Sequence, residues 1–220
     1  MLRTAMLAVV FAAIIAAAQF APTPATAQTV PPKPVYLAVG DSLTGGLYAT
    51  NGHGWAYMVA DALPQYQLQI VGATGVDNAI DALPAALAAH NPQLVTIEVG
   101  INNLGQKMDS ATFLARYVTM LSILKSAHAP RVVACTVPWT TEAPGSEVEA
   151  VALRYNAAIN FVVPAFGYEV ADCWGATVGR YDYLSSIDGF HPNDAGHRAI
   201  ADTVLRVLLP PVQWLSDVRR

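Results

Sequence analysis

The chain has 220 residues, enough for one domain with a substantial buried core, and it carries a formal net charge of −4. A mildly acidic chain lacks the basic surface that nucleic acids and anionic membranes attract. We therefore expect neither of them as a partner.

The first 27 residues have the pattern of a secretory signal peptide. Arg3 gives a basic start, residues 5–20 are apolar, and Ala25-Thr26-Ala27 is an A-x-A cleavage signal. The apolar run is shorter than the ~20 residues that a membrane-spanning helix needs, so no stable membrane span is expected after cleavage. Cleavage removes Arg3 and no acidic residue, which changes the net charge from −4 to −5. We therefore predict an exported protein, secreted or periplasmic, in which residues 28–220 form a single domain.

Strand and helix patterns alternate five times along the mature chain. Apolar runs predict strands at residues 35–39, 67–71, 94–99, 131–137 and 168–173. Helical spacing of apolar residues predicts helices at 54–63, 77–89, 110–127 and 147–163, and a last one that begins after Asn193 as its N-cap. Pro84 is expected to kink or split the second helix. This alternation favours an α/β fold with a parallel sheet and helices on both faces.

Cys135 and Cys173 are the only cysteines. An even pair in an exported protein permits a disulfide, and two buried free thiols are the alternative. Both residues lie in or just after predicted strands, so the geometry of the fold must decide between these two states.

The first predicted strand stops abruptly at Gly40-Asp41-Ser42. Because this strand is apolar on both faces, we expect it inside a parallel sheet, and ligands of such sheets bind just beyond the carboxyl ends of the strands. Ser42 lies at that position and is predicted to be a nucleophile. Asp41 is the nearest acid, but adjacent side chains on an extended segment point apart, so we assign it a structural role.

A histidine and an aspartate lie close together before the last predicted helix. His191 precedes Pro192, which disfavours the helical conformation, and Asp188 lies three residues earlier in the same loop. An imidazole that acts as a base needs a fixed tautomer and a stabilised charged form, and a carboxylate on Nδ1 provides both. We therefore predict that Asp188 orients His191 and that His191 takes the proton of Ser42.

Other strand ends supply donors for the negative oxygen that forms when a serine attacks an ester. The candidates are the backbone N–H of Gly75, the side-chain amide of Asn102 and the backbone N–H of Ser42 itself.

These segments resemble, in order, the four sequence blocks of the SGNH (GDSL) hydrolase family. The blocks are Gly-Asp-Ser-Leu at 40–43, Gly75, Gly-Ile-Asn-Asn at 100–103 and Asp-Gly-Phe-His at 188–191. The resemblance implies that Ser42, His191 and Asp188 form the catalytic triad and that Ser42, Gly75 and Asn102 form the oxyanion hole. The third block departs from the family pattern, because Asn103 stands where the family usually has aspartate, which puts the support of that loop in doubt.

The resemblance also implies a fold and an activity. The fold is a flavodoxin-like three-layer α/β/α sandwich with a five-stranded parallel sheet. The activity is hydrolysis of carboxylic esters through an acyl-enzyme, with a small-molecule, lipid or carbohydrate ester as substrate and with no metal or organic cofactor. Thioester cleavage or acyl transfer on the same triad, or an inactive exported ligand-binding protein, are the alternatives.

Two further sets of residues could contribute to a site. Trp139 and Trp174 each directly follow a predicted strand and are candidates for substrate binding. The acids and histidines around the last helix could suggest a metal site, but they lack a zinc-type spacing such as H-E-x-x-H, and we favour the triad. That second set consists of Asp188, His191, Asp194 and His197.

Overall fold

A computed structural model describes residues 31–141 and 143–209. The predicted signal peptide, residues 1–27, lies outside the described residues. Five strands form one sheet in the order β2-β1-β3-β4-β5, and every pair of neighbours is parallel. This arrangement confirms the predicted five-stranded parallel sheet. The strands are β1 (Val35–Gly40), β2 (Gln67–Gly72), β3 (Leu94–Glu98), β4 (Val132–Cys135) and β5 (Glu169–Ala171).

Helices connect these strands and follow the last one. Two short 3₁₀ helices, Thr50–Gly52 and Tyr181–Tyr183, lie in the loops. The α-helices are α1 (Trp55–Ala62), α2 (Val76–His90), α3 (Ile101–Gly105), α4 (Ser110–Ser126), α5 (Glu147–Ala165), α6 (Cys173–Thr177) and α7 (Asp194–Leu208).

The sheet is buried on both faces, which makes a three-layer sandwich. Leu37 and Val39 of β1 belong to the apolar core under α2, α4 and α5. Tyr36 and Ala38 of the same strand belong to a second core under α1 and α7. Alternate residues of one strand thus enter opposite cores, which explains why β1 is apolar at every position.

Three local predictions need correction or refinement. Pro84 lies inside α2 and does not split that helix. Ile101 begins the short helix α3, where we expected a loop. Cys173 does not end a strand but begins the short helix α6. The expected N-cap of the last helix is confirmed, since the Asn193 side chain accepts hydrogen bonds from the N–H groups of the second and third helical residues of α7.

The two cysteines are free and buried in the structure, which is the second of the two predicted alternatives. Within residues 31–141 and 143–209, no helix has the length and apolar character required to cross a membrane.

The strand order creates one place where ligands are expected. From β1 the chain moves outward to β2 on one side, and β3 then lies on the other side of β1. Loops that leave β1 and β3 therefore diverge, and in open α/β sheets the crevice at such a switch point is where ligands bind. Ser42 lies in the turn that follows β1, and Asn102 lies in α3, which follows β3.

Candidate active site

Ser42 lies on a tight turn at the end of β1. The backbone N–H of Leu43 donates to Oδ1 of Asp41 at 3.0 Å, and the N–H of Gly45 donates to the Asp41 carbonyl at 2.9 Å. Gly40 leaves no room for a side chain, since a Cβ there would lie 2.0 Å from Oγ1 of Thr44. The chain therefore folds back directly over the strand end, and Ser42 stays partly exposed at its rim.

His191 and Asp188 approach Ser42 from the loop before α7. Nε2 of His191 lies 2.9 Å from Oγ of Ser42, and Nδ1 lies 2.5 Å from Oδ2 of Asp188. The other Asp188 oxygen, Oδ1, accepts the backbone N–H groups of Phe190 and His191 at 3.0 and 3.1 Å. The structure therefore brings all three predicted triad residues into one chain of hydrogen bonds.

The electrostatics of this chain fix the tautomer of the imidazole. Partial burial opposes ionisation of Asp188, but the hydrogen bonds from His191 and from the backbone outweigh it and lower the pKa of the carboxyl group. An ionised Asp188 accepts the proton on Nδ1, which leaves the Nε2 lone pair facing Ser42. The rings of Tyr48 and Phe190 contact the imidazole edge to face, at centroid distances of 5.5 and 5.0 Å.

The predicted oxyanion donors Asn102 and Gly75 lie after two other strands, β3 and β2. Asn102 is in the first turn of α3, and its Nδ2 donates to Oδ2 of Asp41 at 3.0 Å. One amide hydrogen of Asn102 is thus used by Asp41, and the second stays available. Gly75 immediately precedes α2 and has φ of 155°, a conformation that disfavours other residues.

Asn103, the departure from the family pattern, supports the Gly75 loop. This residue is buried, and its Oδ1 accepts the backbone N–H of Val76 at 3.0 Å. A Cβ on Gly75 would lie 2.9 Å from Nδ2 of Asn103, so the amide packs directly against the glycine. An asparagine therefore provides the acceptor that the aspartate of the family pattern would also offer.

One polar residue near the site was not named in the sequence analysis. Glu98, at the end of β3, is buried, and the Thr44 hydroxyl donates to its Oε2 at 3.1 Å. Glu98 is the one charged residue of a fully buried strand, and this was the signal that the sequence offered for it. Asp41 has the structural role assigned to it, since its carboxylate accepts from Leu43 and Asn102.

His197, which the sequence analysis named only as part of a possible metal site, supports the loop that follows Ser42. It is buried, its Nδ1 accepts the backbone N–H of Trp55 at 3.4 Å, and its Nε2 donates to the Leu47 carbonyl at 3.2 Å. Burial lowers the pKa of this imidazole, which favours the neutral form that these two bonds require.

The metal-site alternative gains no support from these contacts. The Asp194 carboxylate accepts the N–H and the hydroxyl of Thr50 at 2.7 and 2.6 Å, and His197 makes the bonds just described. In the part of the chain that the structure describes, no group of three or more His, Cys, Asp or Glu side chains could hold a metal ion.

A cavity of about 460 Å³ adjoins the site beside Asn102. Trp139 and Trp174 do not line this cavity. Trp139 is buried against Tyr181, and Trp174 packs against the larger core, so their role in substrate binding stays a prediction. The lining is Ile101, Asn102, Leu104, Gly105, Lys107, Thr140, Thr141, Ala143, Ser146, Val148 and Phe190.

Comparisons with solved structures identify the fold. An acetylxylan esterase from Geobacillus stearothermophilus is 19% identical, with a TM-score of 0.66 over 80% of this chain and 94% of that one. TesA is 22% identical, with a TM-score of 0.66 over 80% and 98% of the two chains. A lipase from a goat rumen metagenome is 19% identical, with a TM-score of 0.68 over 79% and 96%. At these identities the similarity shows the three-layer fold.

The sequence itself identifies the family. No curated protein matches the chain. The sequence profile of the GDSL-like Lipase/Acylhydrolase family, however, matches residues 38–199, which include the Ser42, Gly75, Asn102 and His191 segments. The chain therefore belongs to the GDSL-like lipase/acylhydrolase family and is a serine hydrolase that acts on ester bonds.

Proposed function

We propose that the chain is an exported esterase that cleaves carboxylic esters through an acyl-enzyme formed on Ser42. The observation that carries this proposal is the hydrogen-bonded chain from Oγ of Ser42 through His191 to Asp188, with distances of 2.9 and 2.5 Å. A serine becomes a competent nucleophile when an adjacent base is within hydrogen-bond reach and a third group orients that base.

In the first step, Nε2 of His191 removes the Ser42 proton while Oγ attacks the ester carbonyl carbon. Asp188 stabilises the imidazolium that forms and keeps Nδ1 protonated. The imidazolium then gives its proton to the leaving alcohol, and the acyl group stays on Ser42. Water repeats the sequence with His191 as base, which releases the acid and restores the serine.

The carbonyl oxygen becomes negative in both steps and needs donors that are already in place. We assign this role to the backbone N–H groups of Ser42 and Gly75 and to the amide hydrogen of Asn102 that Asp41 does not use. Loss of one such donor typically raises the barrier by about 2.7–4 kcal/mol.

We assign the cavity beside Asn102 to an apolar acyl group of several carbons. Asn102 would hold the carbonyl oxygen at one end, and the side chains of Ile101, Leu104, Val148 and Phe190 supply apolar surface along the cavity. Turnover of p-nitrophenyl esters is then expected to rise from acetyl toward medium-chain acyl groups. A steep preference for acetyl would contradict the acyl-chain assignment and would favour carbohydrate deacetylation.

Gly105 offers a direct test of that cavity. It lies on the lining, and a Cβ there would meet no atom within 4 Å, so Gly105→Phe can fill the space without a clash at its first carbon. The variant is expected to lose turnover of the longer esters and to retain turnover of the acetyl ester. Equal loss on both esters would contradict the assignment.

The triad is tested with Ser42→Ala and with the control Ser186→Ala, which changes an exposed serine in the loop before His191. The first variant is expected to lose ester hydrolysis and labelling by a serine-directed fluorophosphonate, and the second to keep both. A folded Ser42→Ala protein with wild-type turnover would refute the mechanism, and a wild-type chain that takes no label would indicate a binding protein. Parallel assays with a thioester, and with an added acceptor alcohol, distinguish esterase from thioesterase and transferase activity.

The proposal that the protein is exported rests on the signal-peptide pattern of residues 1–27. The full chain, expressed in a bacterial host, is expected outside the cytoplasm with Gln28 as its first residue. Mass spectrometry of the exported protein measures that terminus. An intact Met1 on a protein that stays in the cytoplasm would contradict the prediction.

A further inference from the structure

Two carboxyl groups lie buried side by side beneath the Ser42 turn, and the reaction described above does not use them. Asp41 directly follows Gly40, the residue that pairs with Glu98 across β1 and β3. Asp41 is 6% exposed and Glu98 is fully buried. The register places the two carboxyl groups next to each other, and two adjacent buried carboxylates without a positive partner do not both stay ionised, so the pair holds at least one proton.

The surroundings contain no fixed positive charge that could neutralise two carboxylates. The buried polar residues of the described chain include no lysine or arginine. His191 can carry a positive charge and lies within electrostatic reach of Asp41, where its imidazolium form would lower the pKa of that carboxyl group. The side chains around the pair are Thr44 on the Ser42 turn, Tyr117 on α4, Cys135 on β4, Asn102 on α3 and His191 before α7.

The hydrogen bonds place the shared proton on Glu98. Asp41 already accepts two donors, the N–H of Leu43 on Oδ1 and the amide of Asn102 on Oδ2, both at 3.0 Å. Glu98 accepts the Thr44 hydroxyl on Oε2, but its Oε1 is buried and no donor reaches it. A proton on Oε1 turns that unpaired acceptor into a donor, and Asp41 is the neighbouring carboxylate that can accept from it.

The electrostatics of the pair agree with that assignment. Burial and the charge of Asp41 raise the pKa of Glu98 well above its ordinary value. Burial also raises the pKa of Asp41, to about 6, but hydrogen bonds from Leu43 and Asn102 oppose that shift. Asp41 is therefore the carboxylate of the pair at neutral pH, and Glu98 is the acid.

We propose that Glu98 is a positioning residue of the ester-hydrolysis site, a neutral carboxylic acid that donates a hydrogen bond to Asp41 and so fixes the Asn102 amide. This role rests on the proposed function of Asn102 as an oxyanion donor. Asp41 takes one amide hydrogen of Asn102 and thereby directs the other toward the substrate oxygen. A donor that is held in place before the reaction stabilises the oxyanion without a reorganisation cost.

The proposal predicts a contrast between two substitutions at one position. Glu98→Gln keeps a donor toward Asp41 and an acceptor for Thr44, so kcat is expected to stay within about threefold of wild type. Glu98→Met has a similar length but no donor, and kcat is expected to fall by about 10- to 100-fold with little change in KM. The control Thr96→Val removes a buried hydrogen bond to Tyr36 from the same strand and is expected to leave kcat unchanged.

Two further measurements separate positioning from a loss of stability. In wild type, kcat is expected to fall at alkaline pH where Glu98 loses its proton, and Glu98→Gln is expected to lack that fall. The infrared carbonyl band of a protonated carboxylic acid is expected in wild type and is expected to be absent from Glu98→Gln. A wild-type kcat in Glu98→Met, equal losses in both Glu98 variants, or a wild-type protein without the band would each overturn the proposal. Ester hydrolysis by the Ser42→Ala variant would instead overturn the proposed acyl-enzyme mechanism. Failure of the Glu98 proposal and failure of the proposed function are therefore distinguishable.

Discussion

Asn103 provides the sharpest test of how the loops around Ser42 are held in place. Its side-chain oxygen accepts the N–H of Val76 at 3.0 Å, and both residues are buried. Asn103→Ala would leave that N–H without a partner in an apolar setting, which costs about 1–3 kcal/mol of the free energy of unfolding. The same change removes the amide that packs against Gly75.

The loss is expected to affect the reaction as well as the stability. A displacement of the Gly75 N–H by a fraction of an ångström weakens its bond to the oxyanion, so we expect kcat to fall by about 10- to 100-fold, with a small effect on KM. Asn103→Asp is the matched control. It keeps an acceptor at the same place, and a carboxylate at the N-terminal end of α2 is favoured by the helix dipole, so its kcat is expected within about threefold of wild type.

The assay is p-nitrophenyl ester turnover together with urea unfolding of both variants. Asn103→Ala with wild-type kcat and lower stability would show that the residue supports the fold but not the Gly75 donor. Asn103→Asp with a loss as large as that of the alanine variant would refute the argument that an acceptor is what the position requires.

Three other perturbations follow from contacts at the site. Gly40→Ala would put a Cβ 2.0 Å from Oγ1 of Thr44. The variant is therefore expected to give much less folded protein, with a much lower melting temperature. A melting curve like that of wild type would contradict the described turn. Asp188→Asn removes the carboxylate that fixes the tautomer of His191. The kcat of the variant is therefore expected to fall by about 10²- to 10⁴-fold, with an unchanged melting temperature. A kcat within tenfold of wild type would contradict that role. Glu98 keeps its proton in the folded protein and loses it in the unfolded chain once the pH exceeds its ordinary pKa of 4.5. The free energy of unfolding of wild type, relative to that of Glu98→Gln, is therefore expected to fall as the pH rises above that value, by up to about 1.4 kcal/mol per pH unit. Urea unfolding of both proteins at several pH values measures this difference, and parallel profiles would contradict it.

The positions of the strands along the chain and the residues at their ends could be predicted because their signals are local. Each strand is a short apolar run, and the residues at the strand ends have identities that few other positions would require, as with Ser42 after β1 and His191 before Pro192. The short helices α3 and α6 could not be predicted, since five residues give too little periodicity to distinguish a helical turn from a loop.

The long-range polar contacts outside the triad could not be predicted either. The bond from Asn103 to Val76 spans 27 positions and the bond from Thr44 to Glu98 spans 54, so neither has a spacing that could be recognised along the chain. The split that was one of the two outcomes expected at Pro84 is absent for a different reason. The fold keeps the helix continuous through a residue whose intrinsic preference is to interrupt it, because the flanking Leu83 and Leu87 remain buried in the core.

Ser42 and His191 are 149 positions apart in the chain. Ser42 follows β1, and His191 lies in the loop before α7. No fragment that lacks α7 and the loop before it can assemble the site, so a chain emerging from the ribosome is expected to be inactive until α7 has packed against α1. For the same reason, ester turnover depends directly on the packing of α7 against α1. When α7 separates locally, hydrolysis stops while the sheet and the opposite core remain folded, and loss of activity therefore precedes global unfolding.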